Sequence, residues 1–86
     1  MTRVLLVQPE VNFVRTYPLG LAYLAGFLRR HGVEVSGLDL RLSGPRALEE
    51  QLRRREPDLV GVSAYSSAPE AAARVARTVR RHRPEA

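Results

Sequence analysis

The sequence predicts a doubly wound α/β fold, in which parallel strands are joined by crossover helices that cover the faces of one sheet. Three observations carry that prediction. Short apolar runs of the kind that suit buried strands recur three times along the 86 residues. Each is followed by a stretch that reads as helix. Glycine and proline stand at the boundaries between them, where a chain has to stop one element and start the next.

The first run, Arg3-Val-Leu-Leu-Val-Gln8, is stopped by Pro9 and reads as a strand buried on both faces. After a polar loop, Leu21, Leu24, Ala25 and Leu28 fall at i, i+3, i+4 and i+7 and give a helix with one apolar stripe. Arg29, Arg30, His31 and Gly32 supply its basic last turn and its terminator. Residues 33–40 form a second strand that includes Asp39, and Ser43-Gly44-Pro45 marks a turn into a helix over residues 47–55. Pro57-Asp58 breaks that helix, and residues 59–64 make the third strand. Ala72, Val75, Ala76 and Val79 then give a last helical stripe after Pro69. The predicted order is β-α-β-α-β-α.

A flavodoxin-like strand order places the first strand in the middle, the second outside it and the third on the other side. The third strand then lacks an outer neighbour, and an edge as apolar as Leu59-Val60-Gly61-Val62 is a pairing hazard. A chain this short buries only about 60–65% of its unfolded surface. Residues 1–86 are therefore read as one partial domain, truncated after three strands, with further strands expected downstream.

Composition narrows the function classes. The sequence contains no cysteine, so these residues can hold no disulfide, thiolate zinc site or cysteine-ligated iron–sulfur cluster. No stretch approaches the roughly 18 apolar residues of a membrane span, and the apolar run at residues 4–7 is too short for a signal-peptide core. A cytoplasmic location without membrane partners is the default expectation. The net charge of +5 comes from arginine alone, since there is no lysine.

Ligands of open α/β sheets bind beyond the carboxyl ends of the strands. Two loops lie there. The first, residues 9–17, exceeds the usual 2–6 residues of a βα connection and ends in Tyr17-Pro18-Leu19-Gly20. Proline suits a first helical turn, whereas Gly20 costs roughly 1 kcal/mol against alanine. Gly20 admits either a ligand near the helix N-terminus or close packing of helix on sheet. The second loop, Ser63-Ala64-Tyr65-Ser66-Ser67, offers several hydroxyls. Ser66 or Ser67 is expected to cap the following helix, whereas Ser63 has no capping duty and could reach a ligand. Asp39, at the end of the second strand, could accept a ligand hydroxyl or bond its own turn.

Several chemistries are excluded by pattern. No G-x-G-x-x-G follows the first strand, no P-loop occurs, and a phosphoryl-accepting receiver would need an aspartate where Ser63 stands. A triad of Ser63, His31 and Asp39 is ruled out because His31 ends a helix, at the opposite sheet edge from the strand ends. No catalytic residue and no metal ligand is assigned. Arg29-Arg30, Arg53-Arg54-Arg55 and Arg80-Arg81 each close a helix, so they should share the amino-end rim. Compensation of helix dipoles is the favoured role there, with a docking or nucleic-acid patch as the alternative.

The combination Val4-Leu-Leu-Val-Gln-Pro9, Pro18-Leu-Gly-Leu-Ala-Tyr-Leu-Ala25, Gly32-Val-Glu-Val, Asp39 and Pro57-Asp-Leu-Val-Gly-Val-Ser63 resembles the N-terminal B12-binding domain of cobalamin-dependent radical-SAM enzymes. That resemblance implies a Rossmann-like domain holding cobalamin at the carboxyl ends of its strands, beside a separate barrel with SAM and a [4Fe-4S] cluster. It implies that Pro9, Tyr17, Pro18, Leu19 and Gly20 lie along the cofactor, with Asp39 at the second strand end and Ser63, Tyr65 and Ser66 lining the pocket from the third. Two positions depart from the family's pattern. Pro9-Glu10 stands where a paired proline is often seen, and Ser66 stands where a threonine is common. The D-x-H-x-x-G cobalt-ligand motif of other B12 proteins is absent after the first strand, so cobalamin would lack a histidine ligand from this chain. The C-x-x-x-C-x-x-C cluster motif is absent too, which puts radical chemistry in the downstream domain of a parent enzyme, a methyltransferase or a related radical enzyme. The competing expectation is a small non-catalytic interaction or nucleic-acid-binding module that uses the basic rim around Arg53, Arg54 and Arg55. Few aromatics accompany those arginines, so nucleic acid is not the expected partner.

Overall fold

The computed structural model describes residues 2–11 and 19–86. In chain order they form β1 (Arg3–Gln8), α1 (Leu19–Arg30), β2 (Glu34–Asp39), α2 (Leu40–Ser43), α3 (Arg46–Arg55), β3 (Leu59–Val62) and α4 (Pro69–His82). The strands are parallel and ordered β2-β1-β3, the flavodoxin-like arrangement.

The central strand explains the apolar run at its sequence position. Side chains alternate across a strand, so Leu5 and Val7 meet one layer while Val4 and Leu6 meet the other. On the first face Leu5 and Val7 pack with Leu48 and Leu52 of α3 and with Val75 and Val79 of α4. On the second, Val4, Leu6 and Val35 are covered by Leu21, Ala25 and Leu28 of α1. The two faces are unequally filled. No residue of α1 is fully buried, and Leu19, Tyr23, Leu24 and Phe27 are exposed.

Helix ends follow local chemistry. Gly32 takes a positive φ of 76°, and the amides of Gly32 and Val33 donate to Arg29 O and Leu28 O at 3.1 Å each, closing α1 in the six-to-one pattern that glycine permits. Asp58 ties the amino edge together. Its carboxylate accepts from Arg3 N at 2.9 Å, while its own amide donates to Arg3 O at 2.8 Å. The Arg83 guanidinium donates to Pro57 O at 3.0 Å beside it.

Four details differ from the sequence reading. The stripe of α1 is narrower than its spacing suggested, because Leu24 is 43% exposed while Leu21, Ala25 and Leu28 face the sheet. On α4 the buried line is Ala71, Val75 and Val79; Ala76 is exposed and Ala72 only half-buried. A single turn, α2, precedes α3, and at four residues it is too short to show periodicity. Strands β2 and β3 stop at Asp39 and Val62. Among the described residues β3 pairs only with β1, and Leu59 is 57% exposed, as expected for an edge strand without an outer neighbour.

Candidate functional site

The carboxyl ends of the strands are organised by register. Leu6 of β1 pairs with Gly37 of β2 on one side and with Gly61 of β3 on the other, so a single large side chain stands between two glycines on the α1 face. Leu6 fills one flank. A Cβ on Gly61 would lie 2.9 Å from Leu6 Cδ2, whereas a Cβ on Gly37 would meet no described residue within 4 Å. The vacant flank forms part of a crevice of about 350 Å³ between α1 and the β1–β2 pair. Ala22 and Ala25 border it from α1, Leu42 from α2, and Gln8 and Asp39 at the strand ends.

A polar row stands above this crevice at the edge. Gln8 pairs with Asp39 in the β1–β2 register, and Ser63 continues β3, its amide donating to Val7 O at 3.2 Å. By the alternation of a strand, Ser63 belongs to the same face as Gly61. Gln8 is 1% exposed yet satisfied. Its Nε2 donates to Pro9 O at 3.3 Å, and its Oε1 accepts from the Tyr65 hydroxyl at 3.2 Å. The Gln8–Tyr65 bond therefore joins the end of the central strand to the loop after β3.

Asp39 works within its own turn. Its Oδ1 accepts from Arg41 N and Arg41 Nε, both at 3.0 Å, and its Oδ2 accepts from Arg41 Nη2 at 2.7 Å. The carboxylate thus caps α2 while pairing with the guanidinium. Hydrogen bonding from Arg41 holds the Asp39 carboxyl below its usual range, against an opposing effect of burial. The same bonds hold the Arg41 guanidinium above its own. Of the two roles open to Asp39 from sequence, the structure displays the turn-bonding one.

The remaining candidates are placed as follows. Pro9 is fully buried, and Leu19 and Gly20 are exposed at the start of α1. No described residue lies within 4 Å of where a Cβ on Gly20 would stand, so packing of α1 on the described sheet does not account for that glycine. Tyr17 and Pro18 lie outside the described residues. Ser63 and Tyr65 are half-buried and Ser66 is exposed. The expectation that Ser66 or Ser67 caps α4 is corrected: the cap residue is Ala68, and it makes no side-chain cap bond. Backbone bonds from Ala68 N to Tyr65 O and from Ala71 N to Ala68 O shape the helix start, and Pro69 at the first position has no N–H to satisfy. Gln8, Gly37, Arg41 and Leu42 belong to the edge as well and were not singled out from sequence.

Both histidines are far from this edge in the topology. His31 follows α1 and its Nδ1 lies 2.9 Å from Phe27 O, while His82 ends α4 with its Nε2 3.5 Å from Glu49 Oε1. The arginine clusters stand in the last turns of α1, α3 and α4, at the amino rim as expected. Several are engaged locally: Arg29 donates to Val35 O, Arg54 pairs with Glu50 and Arg55 donates to Gln51. No described helix is long and apolar enough to cross a membrane.

A family model described as B12 binding domain matches residues 13–86. No curated protein and no solved structure matches.

Proposed function

The chain belongs to the B12-binding domain family, and from that premise we propose that it holds cobalamin across the carboxyl edge of its sheet, as the cofactor module of a cobalamin-dependent radical-SAM enzyme. The observation that supports the binding site is the crevice beside Leu6, where no described atom stands within 4 Å of a Cβ on Gly37 and α1 contributes the small Ala22 and Ala25 together with Leu21 and Arg29. An apolar hollow under a polar rim fits a large cofactor whose amide-bearing periphery needs hydrogen bonds while its body needs cover. The crevice accepts one part of cobalamin, and the rest lies over the strand ends.

In this reading each residue has a binding or positioning duty. Leu19 and Gly20 present the free N–H groups of the α1 terminus to polar substituents of the cofactor. Ser63 offers a hydroxyl from the third strand, with Ser66 beyond it. Tyr65 fixes Gln8, and the Asp39–Arg41 pair fixes the α2 turn that carries Leu42 to the mouth of the crevice. Bound cobalamin supplies a cobalt centre able to carry a transferable carbon group. SAM and the [4Fe-4S] cluster belong, on this proposal, to a downstream domain of the same chain that is also this module's partner. The radical-SAM assignment draws its support from the combined Pro18-Leu-Gly20 and Pro57-Asp-Leu-Val-Gly-Val-Ser63 segments.

Two experiments test the two parts separately. Gly37→Leu places a side chain in the vacant flank and is expected to weaken cobalamin binding about tenfold or more with the fold intact. Unchanged affinity in the folded variant would remove the crevice from the site. Sequencing the source DNA past codon 86 tests the parent: a C-x-x-x-C-x-x-C motif in the continuing frame is expected, and a frame that continues without one contradicts the radical-SAM assignment alone.

A further inference from the structure

We infer that the groove between α3 and α4 is a docking site for an acidic amphipathic helix of a partner protein. The groove is an open hollow of about 350 Å³ on the sheet face opposite α1. Leu40, Leu48, Ala71 and Val75 make its floor, and the α4 wall carries Arg74, Arg77 and Arg81.

Those three arginines stand at i, i+3 and i+7, one stripe of cations spread over about 10 Å of helix. None of their side chains makes a hydrogen bond or ion pair with a described residue. Their neighbours at the helix end are engaged: His82 faces Glu49, Arg80 donates to Pro84 O and Ala86 O, and Arg83 pairs with Glu85. Dipole compensation accounts for cations in the last turn of a helix but not for Arg74 and Arg77, which sit in the middle of Pro69–His82. Like charges three and four residues apart also destabilise the helix that carries them. A counter-charge from outside the domain relieves that repulsion.

The groove's other features select the occupant. An apolar floor beside a cationic wall matches a helix with an apolar ridge and carboxylates along its flank, repeating at the same spacing as the arginines. Glu10 lines the groove together with Ala71, toward the start of α4. A carboxylate there repels a phosphate backbone and favours a helix N-terminus, while Arg81 at the far end favours a helix C-terminus. The docked helix therefore runs parallel to α4. Among the described residues no aromatic side chain lines the groove to stack a base.

The test uses the full chain and a fluorescein-labelled helical peptide with leucines on one face and glutamates at i, i+3 and i+7 on its flank, read by fluorescence anisotropy. Saturable, salt-sensitive binding is expected. It should weaken at least about tenfold in the Arg74→Glu, Arg77→Glu, Arg81→Glu variant and with a scrambled peptide of equal charge. Reversing Arg53, Arg54 and Arg55 instead, the same change in net charge at the amino rim, should leave it unaltered. Circular dichroism verifies folding, and the corresponding glutamine variant replaces the glutamate one should the latter unfold. Equal affinity for the scrambled peptide, equal loss in the rim variant, or tighter binding to single-stranded DNA or anionic vesicles overturns the inference.

Discussion

At the Asp39 carboxylate, three hydrogen bonds from one residue do two tasks, closing the α2 turn and anchoring the Arg41 guanidinium. Its lowered pKa makes this arrangement pH-dependent. An acid whose folded pKa lies below its unfolded value of about 3.9 contributes its full stability above that value and loses it as the pH falls through the folded pKa. Asp39→Asn, which can still cap the turn but carries no charge, should flatten the acid limb of thermal stability below about pH 4. Circular-dichroism melts across that range measure it, and an acid limb identical to wild type would show that the pair is not what titrates. Gly61 is the second residue-scale feature. A side chain there has to displace the buried Leu6, so Gly61→Val should cost roughly 1–3 kcal/mol by overpacking. Denaturant unfolding reads that loss, and a neutral substitution would mean that Leu6 can swing into the vacant flank beside Gly37. Neither glycine was legible as functional in the sequence, because each matters only through its register with Leu6, and register is a property of paired strands. Gln8 was hidden for a related reason: a polar residue ending an apolar run reads as a boundary until Tyr65 is seen to reach it.

Among the elements, α1 shows most clearly how far pattern reading goes. Its existence, its stop at Gly32 and its basic last turn all follow from composition and spacing, and the glycine terminator appears with its two closing hydrogen bonds. The breadth of its inward stripe did not follow. Four apolar residues satisfy the helical period, yet only three turn to the sheet, because the orientation of the helix about its axis is set by packing on Val4, Leu6 and Val35. The start of α1 separates ligand from scaffold. Gly20 has no described residue where a Cβ would stand, so Gly20→Ala should leave stability unchanged or raise it by up to about 1 kcal/mol, since glycine disfavours helix. Gly20→Leu should leave the fold intact and weaken cobalamin binding. Thermal melts with parallel binding titrations distinguish the two effects; a loss of stability in Gly20→Ala would return that glycine to a scaffold role. For α4, the expected serine cap is absent because backbone turns and Pro69 shape the helix start, a choice that no list of capping residues can reveal.

The molecule as a whole divides its labour between the two ends of its sheet. Every crossover helix runs back toward the amino edge, which collects the basic helix termini, both histidines and the Asp58 and Arg83 ties. The carboxyl edge collects Gln8, Asp39, Ser63 and the crevice. That polarity was readable from β-α order alone, since parallel strands force it, and it sets His31 at the edge opposite Ser63 and Asp39. It also makes a prediction about the cofactor: substituting alanine for His31 or His82 should leave the visible spectrum of bound cobalamin unchanged, and a shifted spectrum in either variant would mean that a histidine reaches the cobalt. The central claim is that this edge binds cobalamin, and equilibrium dialysis of the chain against hydroxocobalamin, followed by the corrin absorbance, tests it most directly. Saturable binding of one cofactor per chain, lost in Gly37→Leu, is the predicted result; a folded wild-type chain that retains no cobalamin would contradict it.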